Sequence, residues 1–261
     1  MLTSLQNFKV KLLVKLREKK KVRKEEQLFI VEGYREIDRA LKGSFDLSEL
    51  FYCKNVLSQD AEALLKKQTA KALVEVSEDV FKKIAVRDGS DGLLATFKIP
   101  TRKIEDILIS DKSIIVALDG VEKPGNLGAI LRSCDAVGVS AIVLLHSKVD
   151  SYNPNVVRTS LGALFSVPVF EMSNGDYKSF CEMQKIKTVA ASPFASKFHY
   201  EENLKGPVSV VMGSEAFGLS SYWESQSDSL VKIPMNGLCD SLNVSVATAV
   251  IIYESLRQQS F

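Results

Sequence analysis

Ile233-Pro234-Met235-Asn236-Gly237, followed by Ser241-Leu242-Asn243-Val244-Ser245-Val246-Ala247, is the stretch on which the reading of this chain turns. It leads from an apolar, strand-like run through a polar turn into a helix-like run. Two earlier stretches have the same character: Asn126-Leu127-Gly128-Ala129-Ile130-Leu131-Arg132 and Gly213-Ser214-Glu215-Ala216-Phe217-Gly218-Leu219. Junctions of this kind are where an α/β sheet turns backbone amides and carbonyls toward a ligand. Three of them in one half of the chain point to a single composite site.

Around these junctions the C-terminal half alternates. Residues 114–118, 141–145, 167–170, 188–191 and 208–212 are β-rich and almost continuously apolar, the pattern of strands buried on both faces of a parallel sheet. Helical stretches at 129–137, 154–164 and 176–184 separate them, and a last helix is expected over 242–258, with Leu242, Val246, Ala249, Val250 and Tyr253 facing inward. A smaller alternation precedes it. Strands are expected at 28–31, 50–53, 73–76 and 93–99, and helices at 33–41, 59–67 and from Ser77 to about Val86, with Ser77 as N-cap. Residues 88–92 read as a flexible turn. The polar, charged stretch 100–112 reads as a linker. The division is therefore 1–26, 27–99, a linker at 100–112, and 113–261.

Charge is unevenly spread. The chain carries a formal +2, but residues 9–24 hold nine Lys/Arg against one Glu18, leaving −6 for the rest. Phe8, Leu12, Leu13 and Leu16 fall at helical spacing within this segment. One cationic amphipathic helix is expected, and three roles fit it: packing its apolar edge on the domain behind it, binding a polyanion such as RNA, or lying on a membrane surface, for which its apolar face is short and lacks Trp.

Several classes lose ground. No apolar run approaches the roughly 18–20 residues that span a bilayer, and lysines from Lys9 onward interrupt any signal-peptide core. Cys53, Cys134, Cys181 and Cys239 are widely spaced without a C-x-x-C pair, and only His146 and His199 could add imidazole. That argues against a structural metal site and for reduced thiols in a cytoplasmic protein. There is no G-x-G-x-x-G opening a helix, no P-loop and no G-x-S-x-G elbow.

In the first junction, Pro124 and Gly125 form a turn, Asn126 is placed to cap the next helix, and Arg132 lies within reach of that cap. A guanidinium beside a helix N-terminus suits a phosphodiester; a capped helix with a solvated Arg fits the same residues. The glycines around Glu215 let backbone approach a ligand, although Glu215 could equally cap a helix. Ser241, Asn243 and Ser245 cluster at a helix start, which is also what a plain N-cap requires.

Taken together, N-x-G-x-x-x-R, G-x-E-x-x-G-L and I-P-M-x-G…S-L-N-V-S-V-A resemble the three signature motifs of the SpoU (TrmH-like) family of RNA methyltransferases in the SPOUT superfamily. The resemblance covers residues 119–254. Residues 28–98, opening on Phe29-Ile30-Val31-Glu32-Gly33, are similar to the family's accessory substrate-binding domain, itself like a ribosomal protein L30e fold. Glu122-Lys123 and Ser133-Cys134 depart from the family's commoner residues at flanking positions, which bears on RNA choice.

The resemblance implies an α/β fold with a parallel sheet and a deep trefoil knot in the C-terminal SPOUT domain, beside a small L30e-like N-terminal α/β domain. It implies S-adenosyl-L-methionine as cofactor, held by Gly213, Ile233 and Leu242, with Ala191, Ser192, Met235 and Asn243 as further contacts. The reaction implied is transfer of a methyl group to a ribose 2′-hydroxyl, with large-subunit ribosomal RNA as the expected substrate. Arg132 would contact the phosphate beside the target ribose. Proposals for the family also cast it as general base, a strained role for a guanidinium that holds its proton tightly. Ser241 and Asn243 would position the 2′-hydroxyl or order Glu215, and Asn126 would support Arg132. Arg158, Lys15, Lys19 and Arg23 are the expected further RNA contacts. A homodimer is implied, with the exposed face of the last helix as interface. A transfer-RNA substrate, methylation of a base nitrogen, and an inactive RNA-binding protein on the same fold are the rival readings.

Overall fold

The computed structural model describes residues 1–68 and 72–260. It contains two compact units. Met1–Thr101 and Asp150–Phe165 make the first, and Arg102–Val149 and Ser166–Phe261 the second.

The chain opens with α1 (Phe8–Glu18) and α2 (Lys20–Glu26), so the basic segment is two helices and not one. Lys19 divides them in an extended conformation, φ −120° and ψ 111°. The buried face of α1 is Val10, Leu13 and Leu16, while Phe8 is exposed. A four-stranded sheet follows, built from β1 (Leu28–Glu32), β2 (Leu47–Tyr52), β3 (Leu73–Glu75) and β4 (Leu93–Lys98) in the order β1-β4-β2-β3. β4 runs antiparallel to both β1 and β2, and β3 is parallel to β2. α3 (Tyr34–Lys42), α4 (Gln59–Leu65) and α5 (Glu78–Ile84) connect the strands. Ser77 caps α5 as expected, accepting from Val80 N at 3.4 Å. The 88–92 turn is anchored: Asp91 accepts from Tyr34 N at 2.7 Å, capping α3.

The 100–112 stretch is not a free linker. Its charged residues conceal Ile104, buried in the core of the second unit, with Ile107 and Ile109 packed against the same core. From there the chain forms β5 (Ile114–Asp119), α6 (Pro124–Val137) and β6 (Ala141–Leu145). It then returns to the first unit as Asp150–Phe165, which includes α7 (Pro154–Thr159). The sequence division at 113–261 missed this return. Its physical basis is a buried ion pair, Arg23 to Asp150, and an aromatic cluster in which Phe29 meets Tyr152 and Phe165 at ring-centroid distances of 4.6 and 6.5 Å.

The second unit resumes with β7 (Val169–Met172), α8 (Asn174–Met183), β8 (Lys187–Ala191), β9 (Lys197–Phe198), β10 (Val208–Met212), α9 (Ser221–Gln226), β11 (Ser229–Lys232) and α10 (Val244–Ser260). Its seven strands follow the order β7-β6-β5-β10-β8-β11-β9, every pairing parallel. Every residue of β5, β6 and β10 is buried, as strands covered on both faces require. β9 and β11 were not expected. They are short, only partly buried strands, β9 at the sheet edge and β11 next to it, and show no continuous apolar run. The chain moves outward from β5 to β7, then places β10 and β8 on the other side of β5. At such a reversal the loops leaving neighbouring strand ends part and leave a crevice.

Two helices that frame the crevice differ from expectation. α6 begins at Pro124 rather than near Ala129, with Lys123 as N-cap, so Asn126 lies inside the first turn and caps nothing. Proline's fixed φ makes it a good first helical residue; Gly125 and Gly128 hid the turn from a propensity reading. In α10 the buried face is Val244, Thr248, Ile251, Ile252 and Ser255, not the expected set. Leu242, Val246 and Tyr253 are exposed instead, and Ala249 and Val250 only half-buried. The helix is apolar on most sides, so the pattern could not choose its face. Two hydroxyls go inside because each finds a carbonyl: Thr248 donates to Val244 O at 2.6 Å and Ser255 to Leu204 O at 3.4 Å.

Candidate active site

β10 delivers the chain to a loop that only glycine can start. A Cβ on Gly213 would stand 2.2 Å from the backbone carbon of Gly218. Ser214 and Gly218 exchange backbone hydrogen bonds at 2.9 and 3.0 Å, closing the loop on itself, and Gly218 takes φ +69°. Asp119, buried at the end of β5, accepts from Ser220 N at 2.8 Å and ties this loop to the neighbouring strand.

The loop forms one wall of a cavity of about 540 Å³ in the second unit, within the range of about 300–1,000 Å³ common for small-molecule sites. Gly213, Ile233, Leu242, Met235, Ala191, Ser192 and Asn243, the seven expected cofactor contacts, all line it. Sequence reading had given no site role to Met212, Leu219, Val231 and Val244, which add apolar wall, or to Phe194 and Phe217 on its loops. The mixture of apolar side chains, three serines (Ser192, Ser214, Ser241) and glycine-bearing backbone fits a ligand with a flat heterocycle and a polar tail.

Of the five expected catalytic residues, Glu215, Ser241 and Asn243 line the cavity and Asn126 and Arg132 do not. Asn126 is joined to it indirectly: Asn243 Nδ2 donates to Asn126 Oδ1 at 3.3 Å. Asn243 Oδ1 accepts from Ser245 N at 3.0 Å and from its hydroxyl at 2.6 Å, so Asn243 is the cap of α10. Asn126 Nδ2 is buried with no partner, a donor aimed at no protein acceptor. α6 packs against α10 and carries Arg132, which is exposed and makes no ion pair among the described residues. Glu215 is exposed as well, and no hydrogen bond joins it to Ser241 or Asn243 among the described residues.

The edge of the sheet nearest the cavity is locked by Glu202. Its carboxylate accepts from Lys187 at 2.5 Å, Lys197 at 2.9 Å and Ser229 at 2.5 Å, tying β8, β9 and β11 together. Burial would raise its pKa, but these three donors outweigh it and bring it down to about 2. Burial pushes the Cys181 thiol up to about 12 and raises Cys134 strongly, so neither supplies a thiolate near neutrality. Cys53 is also buried, and Cys239 is exposed.

The expected RNA contacts divide. Lys15 and Lys19 are exposed on the first unit. Arg23 is not available to RNA: it is 2% exposed, bonds Asp150 Oδ2 through Nε at 2.7 Å and Nη2 at 2.6 Å, and donates to Leu16 O. A buried cation needs this complete set of partners, and position in a basic run could not reveal it. Arg158 is exposed and lines a small cleft of the first unit with Arg87, Glu32 and Glu36. Glu32 is pushed up in pKa by burial there, although Val86 N donates to it. No helix among the described residues is long and apolar enough to cross a membrane.

Comparison with known proteins agrees with this geometry. The family model described as the SpoU rRNA Methylase family matches residues 113–253, and the MRM3-like substrate binding domain matches residues 7–95. A crystal structure of an RNA 2′-O ribose methyltransferase is 38% identical, with a TM-score of 0.86 over 100% of this chain and 99% of that one. The SpoU methyltransferase AviRb from Streptomyces viridochromogenes, solved in complex with the cofactor AdoMet, gives a TM-score of 0.91 at 26% identity, covering 97% of this chain and 98% of that one. The 23S rRNA (guanosine-2′-O-)-methyltransferase RlmB of Vibrio parahaemolyticus is 35% identical over 174 residues, 64% of this chain and 70% of that protein. With a family match over more than half its length, and a cavity lined by two of the three motifs, the chain belongs to the SpoU rRNA methylase family.

Proposed function

We propose that the protein methylates a ribose 2′-hydroxyl of large-subunit ribosomal RNA, using S-adenosylmethionine. The observation that carries this reading is the convergence of two motif loops, 213–219 and 233–243, on one cavity, with α6 and its exposed Arg132 fastened to that cavity through Asn126 and Asn243. S-adenosylmethionine would supply an electrophilic methyl group on a sulfonium. Gly213, Ile233 and Leu242 would hold it by backbone groups, with Ala191, Ser192, Met235 and Asn243 around it.

The chain's own residues would do the rest. Arg132 binds the phosphate next to the target ribose and favours negative charge on the attacking oxygen. It keeps its own proton, because a guanidinium is too weak an acid to act as general base near neutrality. Ser241 and Asn243 orient the 2′-hydroxyl, Asn126 supports the Arg132 helix, and Glu215 holds the loop facing them. Alignment of two bound substrates contributes most of the acceleration in such a site.

The first unit is read as the RNA-binding module, with Lys15, Lys19 and Arg158 contacting backbone phosphate. The C-terminal segment is read as threaded into a trefoil knot. The exposed Val246 and Tyr253 of α10, with Leu242 just before the helix, are the proposed face of a homodimer. A ribosomal substrate goes with a cytoplasmic location, and no metal is invoked. The test is incubation of the protein with S-adenosylmethionine and unmodified 23S ribosomal RNA, followed by mass-spectrometric mapping. One ribose-methylated nucleotide is the expected product. A base-methylated product, or methylation of transfer RNA alone, would replace this reading.

A further inference from the structure

Two phenyl rings at the cavity have no role in the assignments above. Phe194 is 91% exposed and Phe217 is 88% exposed. Both lie on loops that line the cavity, yet neither ring meets another aromatic ring among the described residues. The loops leave adjacent strands: Ala191 of β8 pairs with Met212 of β10 in the last register position of the two. Each loop is fastened beneath its ring by a serine of the cavity wall. Ser192 Oγ accepts from Phe194 N at 3.4 Å, and Ser214 Oγ accepts from Phe217 N at 3.1 Å. The backbone is held while the ring stands in water.

Leaving a phenyl ring exposed forgoes the favourable burial that puts most Phe side chains in cores. Two such rings on anchored loops at one site therefore call for a common ligand. That ligand is not the methyl donor. Met212, Leu219, Val231 and Ile233 supply buried or half-buried wall, whereas Phe194 and Phe217 border the same cavity with about nine-tenths of each residue left to solvent. The other substrate has to reach the transferred methyl group from that outer side. It is a nucleotide, and every nucleobase has a π-face that stacks on an aromatic ring regardless of its identity.

We infer that Phe194 and Phe217 are positioning residues that stack on bases of the RNA at the target ribose, setting the acceptor strand without reading its sequence. The inference rests on the proposed RNA methylation. A phenyl ring offers no hydrogen-bond donor or acceptor, so identity must be read elsewhere, and the rings contribute registry alone.

The experiment compares Phe194→Ala, Phe217→Ala, the double variant, and Phe194→Tyr with Phe217→Tyr, in the full chain. Each is assayed for KM and kcat on a 23S ribosomal RNA transcript, for S-adenosylmethionine affinity by titration calorimetry, and for molar mass by light scattering. Each alanine change should raise KM for RNA roughly ten-fold. S-adenosylmethionine affinity and molar mass should stay within two-fold of wild type, and the tyrosine pair should restore KM. Weakened S-adenosylmethionine binding at unchanged KM would make the rings a lid on the donor. A change of oligomeric state would make them an interface. Unchanged kinetics would leave them without this role; each of these results overturns the inference. If wild-type protein methylates no RNA, the proposed function fails. If it methylates and the variants match it, only the stacking role fails.

Discussion

Asn243 reaches Asn126 across 3.3 Å, joining the cap of α10 to the first turn of α6. The bond links a residue of the cavity wall to the helix that carries Arg132. Asn126→Ala should therefore lower kcat at least ten-fold while S-adenosylmethionine binding, measured by calorimetry, changes little. Asn243→Ala also removes the α10 cap, a loss of about 1 kcal/mol, so its thermal midpoint should fall as well. Equal activity in both variants and wild type would break the proposed linkage.

Arg132 has no hydrogen bond or ion pair to lose among the described residues, so Arg132→Ala should fold with an unchanged thermal midpoint. Methyl transfer should be abolished and donor affinity kept near normal. Loss of donor binding in that variant would show that the assignment to the RNA phosphate is wrong.

Gly213→Ala places a methyl group against backbone that cannot move aside, 2.2 Å from the Gly218 carbon. Overpacking of this kind costs about 1–3 kcal/mol, and here it falls on the cavity wall. Calorimetry should show donor binding weakened by more than ten-fold, with a modest drop in denaturation midpoint.

The two kinds of basic residue near the N-terminus should separate cleanly. Arg23→Ala strands the Asp150 carboxylate in a buried position and should destabilise the protein by about 3–5 kcal/mol, without altering the salt dependence of RNA binding in protein that remains folded. Lys15→Glu with Lys19→Glu should leave stability nearly unchanged and flatten the dependence of log K on log salt. Filter binding at several ionic strengths reads both.

Glu202 predicts an acid-limb effect. Its folded pKa lies near 2 against an ordinary 4.5, so its charged form is stabilised by folding. That stability is present in full above about 4.5 and is lost as pH falls through about 2. Glu202→Gln should lower the thermal midpoint at neutral pH, and the gap from wild type should close as the pH is taken down across that window.

The sequence made the parallel sheet legible because its strands are buried on both faces and their apolar runs are nearly unbroken. β5, β6 and β10 fall within a residue of the expected positions. The two motif loops at the cavity were legible because glycine and asparagine at such spacing serve backbone geometry, whereas Gly125 and Gly128 hid the first turn of α6. The faces of helices were less so. α10 is apolar on most sides, and Thr248 and Ser255 look like surface residues until their carbonyl partners are known. Arg23 was misread for the complementary reason: its neutralising partner, Asp150, is far away in sequence. Phe194 and Phe217 could have been noticed as aromatics beside glycine, proline and serine in loops, but only their exposure sets them apart from core residues.

The return of Asp150–Phe165 has a consequence for recombination. The first unit, whose residues 7–95 match the substrate-binding-domain model, is not one contiguous cassette. A single splice near residue 101, transplanting it onto a relative, would bring a foreign Asp150–Phe165 equivalent to face Arg23 and Phe29. Exchange of this unit between relatives therefore requires two pieces of gene to travel together.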